Sequence, residues 1–297
     1  MKNYHDAILK QWHFLFRNRI KLIITPVFIL LAAFIFLISC SSTRESKVNA
    51  QDQKKQEKPT QKPMRGIIYE EGFESGIFPS SLDTSGNSPE IVKVSNAREG
   101  NYVMKSVINQ SSAVSYRTEA TLSPNRVLNF KIGEEYWVGI SIKIGEEFRD
   151  SVDWNNQGMI LQWHYRDWLH PEVRDAQPLV LRYIENEVKV HNEVLQVYMA
   201  SAPPAYGEWV DWIIHVKFDN EDGIIQIWRN EEQIVDFKGD NHQKEKNEGT
   251  YLKFGLYSSQ YKTLKPGNFR RVTYHDALRI ADYGGSYELV APRGERR

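Results

Sequence analysis

Arg117 and Glu119 stand two residues apart, as do Gln162 and His164, while Lys253 and Tyr257 stand four apart. Each set lies in an alternating apolar stretch, where residues two or four apart share one face of a strand. If the three strands are neighbours in one curved sheet, their polar faces line one cleft. That cleft carries a guanidinium, an amide, an imidazole and a phenol. These groups suit removal of a proton from a carbon next to a carboxylate. Arg and Gln neutralise the carboxylate as charge grows on it. A base takes the proton and an acid protonates the departing oxygen. Histidine serves as base near neutral pH. A tyrosine serves where neighbouring cations favour the phenolate, which Lys253 or Arg117 could supply. A uronic-acid polysaccharide is the polymer whose C5 proton and O4 leaving group call for this set.

The elements that must hold these residues read as strands. Tyr251–Tyr257 alternates strictly: Leu252, Phe254 and Leu256 point to a core, and Tyr251, Lys253, Gly255 and Tyr257 point away. Gly255 is expected to leave room for a ligand. Ile67–Tyr69, Tyr102–Val107, Ala113–Thr121, Tyr136–Ile144, Met159–Tyr165, Pro178–Ile184 and Glu187–His191 also read as strands, as do Trp209–Phe218, Gly223–Trp228, Gln233–Phe237 and Arg270–Ile280. Arg229-Asn230-Glu231-Glu232 reads as a hairpin turn. No stretch keeps a helical period. Many short strands parted by Gly, Asn and Asp predict an all-β fold, a β-jelly roll of two curved antiparallel sheets over residues 65–297.

The 297 residues have 38 basic and 38 acidic side chains, but the balance is uneven. The first 39 residues hold five Lys/Arg and one acid, which leaves 33 basic and 37 acidic residues, a net of −4. No basic stripe is present, so nucleic acid is not an expected partner. Any polyanion must be gripped locally.

Cys40 is the single cysteine and precludes an internal disulfide. It follows a basic segment and the apolar run 22–39, in the sequence Leu37-Ile38-Ser39-Cys40. This resembles the lipobox of bacterial lipoproteins, which implies a signal peptide over 1–39, lipidation of Cys40 and attachment to the cell envelope, at the outer membrane or cell surface or facing the periplasm. The alternative is a plain transmembrane anchor, since 18 apolar residues can just span a bilayer. Residues 41–64 are rich in Gln, Lys and Ser and read as a disordered tether between the anchor and the domain.

The motifs carry a second resemblance. R-T-E at 117–119, Q-W-H at 162–164 and Y-L-K-F-G-L-Y at 251–257 are similar to the three signatures of family 7 alginate lyases: R-S/T-E-L, Q-I/V-H and Y-F-K-A-G-x-Y-N-Q. The stretch from Gly207-Glu208-Trp209 to Trp228-Arg229-Asn230-Glu231 resembles a strand pair of the heparin lyase I and glucuronan lyase group, which shares the β-jelly roll. Tyr274–Ile280 suits its closing strand. The resemblance runs from Ile67 to Ile280. It implies a polysaccharide lyase with Arg117 and Gln162 on the substrate carboxylate, His164 as base or carboxylate partner, and Tyr257 as acid or acid/base. It also implies substrate contacts from Lys253, Glu119 and Tyr251, with an anionic polysaccharide as partner. Ala120, Trp163, Ser258-Ser259-Gln260 and Glu231 depart from these patterns, and they separate the chain from alginate more than from lyase chemistry. In glucuronate and mannuronate the C5 proton and O4 share a face, so one tyrosine suffices. In guluronate and iduronate they oppose, and His and Tyr divide the work. Both residues are here, so the substrate stays open.

Trp154 and Trp168, in expected loops, are candidate sugar-stacking platforms. His215 alternates with core residues and is either structural or turned to the cleft. His170, His191, His242 and His275 show no ligand spacing, so neither a catalytic metal nor another cofactor is expected. Asp219–Gly223 reads as a turn rather than a calcium loop. The rival functions are a non-catalytic carbohydrate-binding domain on the same scaffold and a glycoside hydrolase. The latter needs a pair of catalytic carboxylates, and no strand of the E-x-D-x-E kind is found.

Overall fold

The computed structural model describes residues 66–109, 116–122, 128–149, 158–166, 168–258 and 270–294. The expected leader, Cys40, the tether and Trp154 lie outside the described residues. In chain order the strands are β1 (Ile67–Glu71), β2 (Asp83–Gly86), β3 (Glu90–Lys93), β4 (Tyr102–Asn109), β5 (Arg117–Thr121), β6 (Glu135–Ile144), β7 (Gly158–Tyr165) and β8 (Leu179–Ile184). They continue with β9 (Glu187–Asn192), β10 (Val197–Ala202), β11 (Trp209–Lys217), β12 (Ile224–Arg229), β13 (Glu232–Lys238), β14 (Thr250–Tyr257) and β15 (Arg270–Ala281). Helical structure among the described residues is a 3-10 turn at Glu146–Phe148 and one turn at Tyr287–Val290.

The strands form two antiparallel sheets. One has the order β13-β12-β11-β6-β15-β4-β3, with β1 also on β15, and the other β10-β9-β8-β7-β14-β5-β2. Alternation turns one face of each sheet inward. β6 contributes Val138, Ile140 and Ile142, β11 contributes Trp212, Ile214 and Val216, and β14 contributes Leu252, Phe254 and Leu256 to one core. Burial of such a side chain stabilises by roughly 1.5–3 kcal/mol, so the inward half of each strand fixes its register and therefore what the outward half presents.

β2, β3 and β10 are additional to the strands expected from the apolar pattern. All three are edge strands. They are short, and their neighbours cover one side only, so they carry little of the apolar alternation that identifies a central strand. The Arg229–Glu232 hairpin is as expected. Asn230 and Glu231 both take left-handed backbone, at φ 49° and 74°, as a two-residue turn of this hand requires.

His275 is fully buried, and its Nε2 donates across the sandwich to the Ile160 carbonyl at 3.0 Å. Burial pushes its imidazole down to about 4, and burial does the same to His242. Both must be neutral in the folded chain. The unfolded chain binds their protons first, so their stabilising contribution is complete above about pH 6.5 and is lost as pH falls toward about 4. Asp276, which burial pushes up to about 7, acts oppositely and gives most at low pH. Denaturant unfolding should therefore show His275→Gln flattening the fall in stability between pH 6.5 and 4 by roughly 3 kcal/mol. Asp276→Asn should steepen it. An unchanged slope in His275→Gln would contradict the assignment.

Candidate functional site

β7, β14 and β5 are consecutive in their sheet, which brings the three polar stretches together. Tyr257 pairs with Arg117 and Gly255 with Glu119 on one side of β14. Lys253 pairs with Gln162 and Tyr251 with His164 on the other. Opposed residues of antiparallel strands share a face, so all of these turn away from the core.

The floor of the cluster is a buried charge network. Glu119 is 1% exposed and Lys253 3%. Gln162 Nε2 donates to Glu119 Oε1 at 2.5 Å. Glu119 Oε2 is 3.2 Å from Arg117 Nε and 3.3 Å from Lys253 Nζ. Ser85 Oγ accepts from Arg117 Nη1 at 3.1 Å and from Lys253 Nζ at 3.2 Å. Burial pushes the Lys253 ammonium below its ordinary value; Glu119 opposes this and Arg117 adds to it. Gln162, 1% exposed, lies at the same depth. The charges of Glu119 and Lys253 answer each other beneath the surface, against Arg117 and Gln162.

Above that floor, Arg117 and Tyr257 are partly exposed. The Arg117 guanidinium carbon lies 3.8 Å from the centre of the Tyr257 ring, a cation–π contact that fixes the phenol. His164 Nδ1 is 2.7 Å from the Tyr165 carbonyl oxygen, and Nε2 is 3.5 Å from Asp175 Oδ2. Tyr251 is 8% exposed, its ring lying 5.5 Å from that of His164 and 6.1 Å from that of Trp168. Trp168 is 59% exposed, so an aromatic surface stands beside the imidazole. The loop that carries Trp168 is tied down by His170, whose Nε2 is 2.5 Å from Glu248 Oε1. That contact, with Glu172 also near, raises the His170 pKa.

Gly255 does not provide room for a ligand. At φ +140° a Cβ there would come within 2.7 Å of Glu119 Cα and strike the Thr118 carbonyl. The glycine is needed so that β5 can lie against β14 where β14 shifts register with β7 between Phe254 and Tyr257. His215 belongs to the other sheet. It stacks on Trp137 at 4.2 Å and meets Gln226 and Glu135, so it is structural and does not face this cluster. In the Asp219 turn the carboxylate accepts the Glu221 N–H at 2.9 Å, an ordinary side-chain-capped turn. Among the described residues no group of three metal-ligating side chains converges.

Three members of the cluster carry no signal in the local sequence. Ser85 sits on an edge strand of small polar residues. Asp175 and Lys246 come from the loops after β7 and before β14, and nothing in their local spacing relates them to His164.

The polysaccharide lyase family profile matches residues 71–279. No curated protein matches the chain. Among solved structures, the endo-beta-1,4-glucuronan lyase of the fungus Trichoderma reesei is 13% identical, covering 77% of this chain and 100% of its own, with a TM-score of 0.57. The alginate lyase AlgAT5 of polysaccharide lyase family 7 is 12% identical, covering 65% of this chain and 82% of its own, with a TM-score of 0.46. The glucuronan lyase shares the two-sheet fold. The family match spans the sheet that carries Arg117, Gln162, His164 and Tyr257 and extends through β15, so the chain belongs to the polysaccharide lyase family and is a polysaccharide lyase of the β-jelly-roll type.

Proposed function

We propose that the enzyme cleaves a uronic-acid polysaccharide by β-elimination at the face shared by β5, β14 and β7. What carries this reading is the shared outward face of Arg117, His164 and Tyr257, with Gln162 in the buried Glu119–Lys253 layer beneath it. Arg117, with Gln162 from the layer beneath it, meets the uronate carboxylate and disperses the charge that grows on it when C5 loses its proton. His164 takes that proton at Nε2. Tyr257 gives its hydroxyl proton to O4 as the C4–O4 bond breaks and the C4=C5 double bond forms. Trp168 offers a ring face to a neighbouring sugar, with Tyr251 packed behind it. The related fold of a glucuronan lyase makes glucuronan the first polymer to try, with alginate second.

The test is a panel of glucuronan, alginate, heparin and hyaluronan, followed by the absorbance of the unsaturated product. A rise on at least one polyuronate is expected, and its loss in His164→Ala. Flat traces on all four, with retention on a polyuronate affinity gel, would favour the carbohydrate-binding alternative.

A further inference from the structure

We propose that Asp175 is the positioning carboxylate of His164, held for that purpose by Lys246 and Gln177. This rests on the reading of His164 as the base. The Tyr165 carbonyl, 2.7 Å from Nδ1, can only accept, so that nitrogen carries a hydrogen in either charge state of the ring. Nε2 is therefore the nitrogen that exchanges protons, and Asp175 Oδ2 lies 3.5 Å from it. The other oxygen of Asp175 is anchored: Gln177 Nε2 donates to Oδ1 at 2.9 Å, and Lys246 Nζ stands 3.9 Å from it.

An isolated surface ion pair would carry little meaning. This array differs because its far end is inside the protein. The Lys246 side chain is 1% exposed and lies over the Tyr165 ring at 5.1 Å, while the Asp175 side chain is 44% exposed. The arrangement leads from a buried ammonium, through a carboxylate with one oxygen fixed, to an imidazole on the reactive face. The charged and titratable groups around the ring include Asp175, with Lys246 behind it and Lys253 close enough to feel its charge, and Tyr251 across the strand.

In the reaction the C5 proton passes to Nε2, and the C–H electron pair enters the enolate of the uronate. That pair then forms C4=C5 as O4 leaves with the proton of the Tyr257 hydroxyl. The new N–H bearing the positive charge forms beside Asp175, which offsets it without taking the proton.

Asp175→Asn tests this on the full chain with the polyuronate that gives product. The amide oxygen can keep the Gln177 bond. We expect kcat to fall about ten- to a hundredfold with KM within threefold. Asp175→Glu should restore part of kcat. A wild-type kcat in Asp175→Asn, with His164→Ala inactive, would overturn the proposal alone. So would a rise in KM with kcat unmoved, which marks a mere substrate contact. An active His164→Ala would overturn both the proposal and the reading beneath it.

Discussion

Tyr257→Phe is expected to reduce turnover on any accepted polyuronate by roughly a thousandfold, within the range general acid–base groups contribute. The change removes one oxygen and little else. Arg117 lies 3.8 Å from the ring centre, and a phenyl face holds a guanidinium much as a phenol face does. Arg117 also keeps its bond to Ser85 and its pairing with Glu119. The variant should therefore unfold at the wild-type temperature and bind polymer with unchanged affinity. Assay of the unsaturated product alongside a thermal melt separates the two effects. More than a tenth of wild-type kcat in a well-folded Tyr257→Phe would remove Tyr257 from the proton transfers.

The second large effect belongs to Glu119, which is buried beneath the reactive face. Its carboxylate receives Gln162 and stands against Arg117 and Lys253. Glu119→Ala leaves the buried Lys253 ammonium without its counter-ion, and breaking a buried pair from one side costs about 3–5 kcal/mol. Activity should fall as well, because Arg117 and Gln162 lose the anchor that aims them. Adding Lys253→Met should recover part of the stability by removing the stranded charge, and should recover no activity. The double-mutant cycle in denaturant, with kcat measured on all four proteins, reads both. Equal stabilities for Glu119→Ala and the wild type would mean that the network is loose.

Much of the site is legible in the residues and their spacing. The pleat settles that Gln162 and His164 share a face, and likewise Arg117 and Glu119, because two-residue spacing leaves no other outcome in a strand. Leu252, Phe254 and Leu256 settle which face of β14 turns inward. What spacing cannot convey is depth or adjacency. Lys253 and Tyr257 look equivalent along β14, and both have β5 and β7 beside them, yet one is 3% exposed and the other opens to solvent, because Lys253 is covered by Ser85 and drawn to Glu119. Gly255 reads as open space in sequence and proves to be a packing contact, since the neighbour it accommodates is a main chain 136 residues earlier. Ser85, Asp175 and Lys246 reach the cluster from an edge strand and two loops. There the chain is held by tertiary contacts rather than by a local apolar pattern, and the local pattern is silent.

The pairing of β14 with β5 and β7 has a kinetic consequence. Ser85 and Lys253, which meet over one hydroxyl, are 168 residues apart in the chain. β14 inserts between two strands made long before it, so short-range contacts cannot assemble the cluster piecemeal. Closing loops of that length comes before any reward from contact, and such topologies fold slowly, in roughly milliseconds to seconds. During synthesis β5 and β7 emerge with their inner edges unpaired and wait for β14. Until it arrives those edges are open to wrong partners. The strand that carries Tyr257 is thus also the one that closes its sheet, and the cluster comes together only once the chain has been made past β14.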